Sequence, residues 1–312
     1  MSAGGAPAIA VVGSMNIDLI AYAARVPERG ETVLGDRFQM GFGGKGANQA
    51  VMAARLGGAV SMIGGLGDDS YAEMTLANLA AVGVDGGGVR RFAGSSGVAP
   101  IWVEADGSNR IIVVAGANML LDPEDIAGTV LALPRCDVVV GQHEIAPAVT
   151  LAAFAAARAR GATTILNPAP AAPVSAAQLA VTDWLIPNET ELAAIAGLEV
   201  GRSTDADLAA FAASAGVRLL VTLGEAGVAI VGTDGVVARV PAPRVTAVDS
   251  TGAGDAFVGA FAWALGSGYP EVDAARIGCA IAADSVTRTG TQSSFADPDQ
   301  AAAIVAAALT KA

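Results

Sequence analysis

Val248-Asp249-Ser250-Thr251-Gly252-Ala253-Gly254-Asp255-Ala256-Phe257 follows a β-like run and opens an apolar segment carrying Phe257, Val258, Phe261 and Leu265. It reads as a glycine turn leading into a helix. The small residues Gly252, Ala253 and Gly254 let bare backbone N–H groups point at an anion held at the helix N-terminus. Asp255 falls in the first turn, beside that anion. A carboxylate there repels a phosphate, but it is well placed to take a proton from a hydroxyl attacking that phosphate. The plainer alternative is a carboxylate that only complements the helix dipole.

Upstream of this turn, short β-branched runs alternate with alanine-rich segments. Ile9–Gly13, Val60–Gly64, Asp137–Gly141, Thr163–Asn167, Trp184–Pro187 and Leu219–Leu223 are continuous and apolar, as strands buried on both faces of a parallel sheet must be. Between them Ala47–Leu56, Tyr71–Ala81, Thr150–Arg160 and Asp205–Ala215 read as helices. This order implies right-handed crossovers and a doubly wound, mostly parallel α/β sheet covered by helices. Two stretches break the alternation. Ile17–Phe42 lacks helical periodicity, and Val98–Ala115 reads as two strands around the turn dipeptide Asp106-Gly107. They are expected to form a small β-sheet lid of residues 16–42 and 98–115. Residues 1–15, 43–97 and 116–312 are then the main domain. Towards its end, strands near Gly227–Val231 and Val236–Val240 precede helices from Gly252 and Asp273.

Composition narrows the function. Of 312 residues, 53% are hydrophobic and 15% charged, and the formal charge is -12. Such a chain supports a large core, and its acidity argues against nucleic-acid or anionic-membrane partners. The apolar run from Ile9 to Ala24 is interrupted by Asn16 and Asp18, which do not belong in a membrane span. With only Cys136, Cys279 and His143, neither a disulfide framework nor a Cys/His metal cluster can be built. Met1 to Ala8 holds no basic segment before an apolar stretch, so no secretory signal is expected and the cytoplasm is the expected location.

Gly41-Phe42-Gly43-Gly44-Lys45-Gly46 satisfies GxGxxG, with Asp68 some way downstream as in a dinucleotide fingerprint. That fingerprint belongs after the first strand of a Rossmann sheet; here the first strand is followed by Ser14-Met15-Asn16-Ile17-Asp18. Lys45 precedes Gly46 rather than Ser or Thr, so the segment is not a P-loop either. Asn188 and Glu191 lie where a strand passes into a helix, suited either to Mg²⁺ on nucleotide phosphates or to ordinary capping. Thr222, Gly224 and Gly227 form another strand-to-glycine turn, open to a nucleotide. Asn16, Asp18, Lys45, Asn48 and Glu144 offer alternating donors and acceptors at strand ends, which a polyhydroxylated ligand needs.

These residues resemble the ribokinase-like, or PfkB-type, carbohydrate kinases over about Ile9 to Ser294. GFGGKGANQA at Gly41–Ala50 and DSTGAGDAF at Asp249–Phe257 look like the two family signatures. Gly116–Asn118, Leu166–Pro170, Pro187–Glu191 and Thr287–Gln292 are similar to the family's accessory motifs and follow its order. The resemblance implies a three-layer αβα domain with a β-sheet lid that often pairs with a second subunit's lid, and so a homodimer. It implies ATP-dependent phosphorylation of a sugar hydroxyl, with D-ribose the expected acceptor. Asp255 would be the base, and Gly252, Ala253 and Gly254 the anion hole. Asn16, Asp18, Gly44, Lys45, Asn48, Glu144 and Asp255 would hold the sugar. Asn188 and Glu191 would organise Mg²⁺ and phosphate, and Thr222, Gly224 and Gly227 would line the nucleotide. Asp249, Thr251, Arg288, Gly290 and Ser294 would surround a monovalent cation, usually K⁺, largely through backbone carbonyls.

Some positions depart from the pattern. Ser250 stands where Thr is usual, His143 precedes Glu144, and Pro100 and Trp102 sit in the lid-like strand, where they bear on substrate choice. Another sugar, 2-keto-3-deoxygluconate or a nucleoside is the nearest alternative acceptor. An NAD(P)-binding oxidoreductase is the alternative of another class.

Overall fold

The computed structural model describes residues 5–310 except 200, 201, 233, 234 and 236. Val236, which the sequence places in the last strand, lies outside the described residues, as do the first four and last two positions of the main domain. The described strands are β1 (Ala8–Val12), β2 (Asn16–Tyr22), β3 (Arg37–Gly43), β4 (Ala59–Leu66), β5 (Asp85–Arg91), β6 (Gly97–Val103), β7 (Asn109–Ile111), β8 (Val138–Gly141), β9 (Thr163–Leu166), β10 (Trp184–Leu185), β11 (Arg218–Thr222), β12 (Val228–Val231) and β13 (Val237–Val240). The α-helices are α1 (Lys45–Arg55), α2 (Ser70–Ala81), α3 (Pro123–Ala132), α4 (Pro147–Ala159), α5 (Ala176–Leu179), α6 (Glu189–Ala196), α7 (Asp205–Ala215), α8 (Ala253–Gly266), α9 (Glu271–Ser285) and α10 (Pro298–Thr310).

Nine strands form one sheet in the order β13-β12-β11-β10-β9-β8-β1-β4-β5. All pair in parallel except β12 and β13, which add antiparallel at one edge. Side chains alternate across a strand, and this divides the core into two layers. Val138 and Val140 join one cluster with Ala50 of α1, Phe261 of α8 and Ile277 of α9. Val139 joins the other with Ile126 of α3, Phe154 of α4 and Leu208 of α7. The continuous apolar runs read from the sequence are therefore strands buried on both faces, in a three-layer αβα arrangement.

A separate four-stranded sheet, ordered β3-β2-β6-β7, is built from the two stretches that break the alternation. β2 pairs antiparallel with β3 and parallel with β6. Gly107 has φ of +85° in the turn between β6 and β7, the conformation for which the Asp106-Gly107 dipeptide was singled out.

The sequence reading misses β5, whose Asp85-Gly86-Gly87-Gly88 run carries little side chain with which to announce a strand. It also extends β10 too far. Only Trp184 and Leu185 pair as a strand, since Pro187 has no amide hydrogen to donate, and contact with β11 resumes as a single bridge between Asn188 and Thr222. Among the described residues no helix is long and apolar enough to cross a membrane.

Candidate active site

From β1 the chain passes to β4 on one side and later returns to β8 on the other. That reversal opens a crevice at the carboxyl ends of β1 and β8, the usual ligand position in such a sheet. The Ser14 hydroxyl donates to Glu144 Oε2 across it, and the same oxygen accepts from the Lys45 amide at 3.0 Å. Glu144 thereby joins both strand ends to the start of α1. Asn16 Oδ1 accepts from Asn118 Nδ2 at 2.8 Å, and Asn118 Oδ1 in turn accepts from the Met15 amide at 3.0 Å.

Two glycines of the GxGxxG segment are explained by this crossing. Gly44, with φ of +85°, precedes α1, and a Cβ there would lie 2.7 Å from the Asn16 amide nitrogen. At Gly46 a Cβ would lie 2.7 Å from the backbone of Gly13 and Ser14. The segment lets α1 pack onto the end of β1 and does not follow the first strand of a dinucleotide fold. Asp68 Oδ1 accepts from the Gly94 amide at 2.8 Å and closes a loop.

Asp255 lies in the first turn of α8 and is buried at 5% exposure. Its two oxygens accept from Asn48 Nδ2 and Gln49 Nε2, each at 2.9 Å. Around it the structure gathers Asp18, Lys45, Asn48 and Glu144. Burial pushes the Asp18 carboxyl up to about 7, with Glu144 and then Asp255 adding repulsion. The Lys45 ammonium is held above its ordinary range, first by Asp255, against the opposing effect of burial and with help from Glu144 and Glu191. One half-buried lysine thus faces several carboxylates, an arrangement that suits hydroxyl groups able both to donate and to accept.

Beside this pocket runs a cleft of about 1050 Å³ bordered by Asn188, Thr222, Gly224, Gly227, Ala253 and Gly254. Gly252, with φ of +77°, forms the cap of α8. The Ala253 amide donates to Ser250 O at 3.2 Å, so it is not free for the expected anion site. Gly227 has φ of +94°, and a Cβ there would lie 2.0 Å from Val240 O, which ties the turn to the antiparallel edge. The sequence reading misses the opposite wall, formed by Pro243, Arg244 and Val245 together with Cys279, Ala282 and Val286 of the α9 region. Those residues carry no motif, and an apolar cleft wall looks like core in sequence. Burial pushes the Cys279 thiol up to about 12.

Asn188 and Glu191 form a reciprocal capping box on α6: Glu191 N donates to Asn188 Oδ1, and Asn188 N to Glu191 Oε2, both at 2.8 Å. The capping alternative is therefore realised. Asn188 still borders the cleft, and this pair of hard oxygen donors fits Mg²⁺ approached through its waters. Asp249 accepts from Thr251 N and Gly290 N, each at 2.9 Å, and so staples the turn before α8 to residues 288–294. Arg288 pairs with Asp284 and donates to Ser294 O at 2.9 Å, while Ser294 Oγ donates to Thr291 O. These side chains close the loops. A guanidinium repels a cation, so the cation ligands this region can offer are its carbonyls.

His143 is half-buried beside the Pro170 backbone, and burial lowers its pKa against the opposing effect of that backbone. The sequence reading also passes over the buried amides Gln49, Gln142, Asn167 and Gln292. Gln49 does carry a signal, an amide amid Ala47, Ala50 and Val51 on a buried helix.

A carboxylate at the amino end of a helix, between a nucleotide-sized cleft and a polar pocket, defines a small-molecule phosphotransferase. Residues 6–298 match the profile of the pfkB family of carbohydrate kinases. The chain belongs to that family, has its ribokinase-like fold and is an ATP-dependent carbohydrate kinase. It is 41% identical to the deoxyribokinase of Salmonella typhi over 297 residues, covering 94% of this chain and 96% of that one. It is 39% identical to the ribokinase of Mus musculus over 299 residues, covering 93% and 92%. The structure of Arabidopsis thaliana ribokinase complexed with ribose and ATP superposes with a TM-score of 0.88 at 31% identity, covering 96% of this chain and 99% of that one. Ribokinase from Thermotoga maritima gives 0.87 at 35% identity over the same shares.

A folded-state pKa raised above its unfolded value contributes stability that is fully present below the unfolded pKa and lost as pH rises through the folded one. For Asp18 that window runs from the ordinary carboxylate range to about 7. Ligand-free wild type should therefore lose stability relative to Asp18→Asn as pH rises from about 5 to 8. Denaturant unfolding of both proteins at each pH checks this; a gap that does not change with pH contradicts it.

Proposed function

We propose that the acceptor is the primary hydroxyl of a free pentose, D-ribose before others, with D-ribose 5-phosphate and ADP as products. The observation that carries this reading is the convergence of Asp18, Lys45, Asn48 and Glu144 on Asp255, beside the cleft. As the acceptor oxygen bonds to the γ-phosphorus, its proton passes to Asp255 and the bond from that phosphorus to the bridging oxygen breaks, releasing ADP. Amides at the amino end of α8 receive the charge that spreads over the transferring group. Asn16, Asp18, Gly44, Lys45, Asn48 and Glu144 hold and orient the sugar, and Thr222, Gly224 and Gly227 border the nucleotide.

Asn188 and Glu191 would hold Mg²⁺ through water, and the carbonyls near Asp249, Thr251, Arg288, Gly290 and Ser294 would hold K⁺; both ions would supply positive charge at the phosphates. Residues 16–42 and 98–115 act as a lid that excludes water from the pocket. The free thiols Cys136 and Cys279 fit a reducing cytoplasm.

A second reading, 2-deoxyribose as the preferred acceptor, rests on the similarity to the Salmonella deoxyribokinase. ATP consumption with Mg²⁺, with and without K⁺, is to be compared for ribose, 2-deoxyribose, fructose, 2-keto-3-deoxygluconate, adenosine and inosine. The proposal expects ribose to give the highest kcat/KM; a clear win for another acceptor removes it. Asp255→Asn should keep most of its sugar affinity and lose turnover by roughly 10²- to 10⁴-fold, and near-normal turnover would remove Asp255 as the base.

A second copy of this chain is the proposed partner of the small sheet. Phe38 and Met40 on edge strand β3, and residues Ile111 to Val114 at the other edge, are exposed, and large apolar side chains left in solvent along sheet edges fit an interface with another chain. Sedimentation velocity should show a dimer that Phe38→Glu weakens; a monomeric wild type at assay concentration counts against it.

A further inference from the structure

Two chains of amides, buried except for the half-buried Asn78 at one far end, run to Asp255, and every amide in both turns its nitrogen toward the carboxylate. In the first, Gln142 Nε2 donates to Gln49 Oε1 at 2.7 Å, and Gln49 Nε2 donates to Asp255 Oδ1 at 2.9 Å. In the second, Asn78 Nδ2 donates to Gln292 Oε1 at 2.9 Å, and Gln292 Nε2 to Asn48 Oδ1 at 3.0 Å. Asn48 Nδ2 then donates to Asp255 Oδ2 at 2.9 Å.

This direction is forced by chemistry. An ionised carboxylate only accepts, so the amide touching each oxygen must present nitrogen. Its own oxygen then faces away, and the next amide must present nitrogen in turn. Gln49 has no freedom left, because its Nε2 also donates to Asn167 Oδ1 at 3.1 Å. The first chain carries a cost at its far end. Gln142 Oε1 is buried with no partner among the described residues, where a Cβ on Gly13 would lie 2.0 Å from it. An unsatisfied buried acceptor is destabilising, and apolar side chains filling the same space would avoid it. Gln49 is fully buried and Gln292 nearly so, and both sit behind groups that border the pocket.

We infer that Gln49 and Gln292 are positioning residues for phosphoryl transfer. They lock the plane and rotamer of the Asp255 carboxylate so that the lone pairs left by the amides face the acceptor hydroxyl. Gln49 acts directly on Asp255, and Gln292 acts through Asn48. Because Gln292 belongs to residues 288–294, it also ties the segment stapled by Asp249 to the base. The inference rests on the reading of Asp255 as that base.

The test measures kcat and KM across the pH profile for wild type, Gln49→Met, Gln292→Met, Gln49→Glu and Asp255→Asn, with melting temperatures alongside. Both methionine variants should lose kcat by roughly 10- to 100-fold, the scale of a misplaced catalytic group, with sugar KM moving far less. Gln49→Glu sets a second carboxylate against Oδ1, and two carboxylates in contact cannot both ionise. The acidic limb of its kcat profile should move up by roughly one pH unit or more, as contact between position 49 and the base requires.

An unmoved acidic limb in Gln49→Glu overturns the inference, as does near-wild-type kcat in both methionine variants. Should those variants fail to fold, the near-isosteric Gln49→Glu decides alone. Asp255→Asn separates the two levels of argument. If it turns over normally, the base assignment and this inference fall together. If it is inactive while the Gln49 and Gln292 variants behave as wild type, only the inference falls.

Discussion

A carboxylate buried at the amino end of α8 without a direct ion pair among the described residues is the constraint to which the rest of the site answers. Burial of an ionised group is costly unless its oxygens are hydrogen-bonded, and a hydrogen-bonding cation would also take the lone pairs that must face a substrate. Asn48 and Gln49 meet both demands, because neutral amides satisfy one lone pair on each oxygen and bring no net charge. Lys45 then supplies positive charge through space, shared with Glu144 and Glu191.

The backbone follows from that arrangement. To bring Asn48 and Gln49 to Asp255, α1 must lie against the end of β1, and Gly13 and Gly46 allow the approach. To hold the turn before α8, Asp249 reaches Gly290, and Gln292 from the same segment completes the second amide chain. The wide nine-stranded sheet provides the rigid support: Trp184 of β10 packs edge-on against Phe261 of α8, with ring centroids 5.0 Å apart. Packing two turns below the carboxylate thus fixes the axis of the helix that carries it.

Much of this was legible in the sequence, for identifiable reasons. Strands buried on both faces leave unbroken apolar runs, and β1, β4, β8, β9 and β11 stood out to within a residue or two. The turn before α8 was legible because a carboxylate beside an anion site has few other uses. Less legible was whatever depends on distant contact. The glycine-rich β5 has no side-chain pattern of its own, and the wall around Cys279 comes from α9, outside the motifs that the sequence displays. The amide chains were hidden in another way. Gln142 and Gln292 are polar residues in connecting segments, where solvent exposure is the ordinary expectation, and only the fold turns them inward.

The pocket is shared between two sheets. Asp255, Asn48 and Glu144 belong to the large one or the helices on it, while Asp18 stands on β2 of the small one, pressed against Gly43 of β3. Pro100 and Trp102 lie on β6, paired with that same β2. On the proposed reading of the pocket, substitutions in the small sheet would change which hydroxyl pattern is recognised while the amides around Asp255 stay in place. In evolutionary terms the architecture separates the carboxylate and its supporting amides from the sheet that borders them, so the small sheet can vary without rebuilding the amino end of α8.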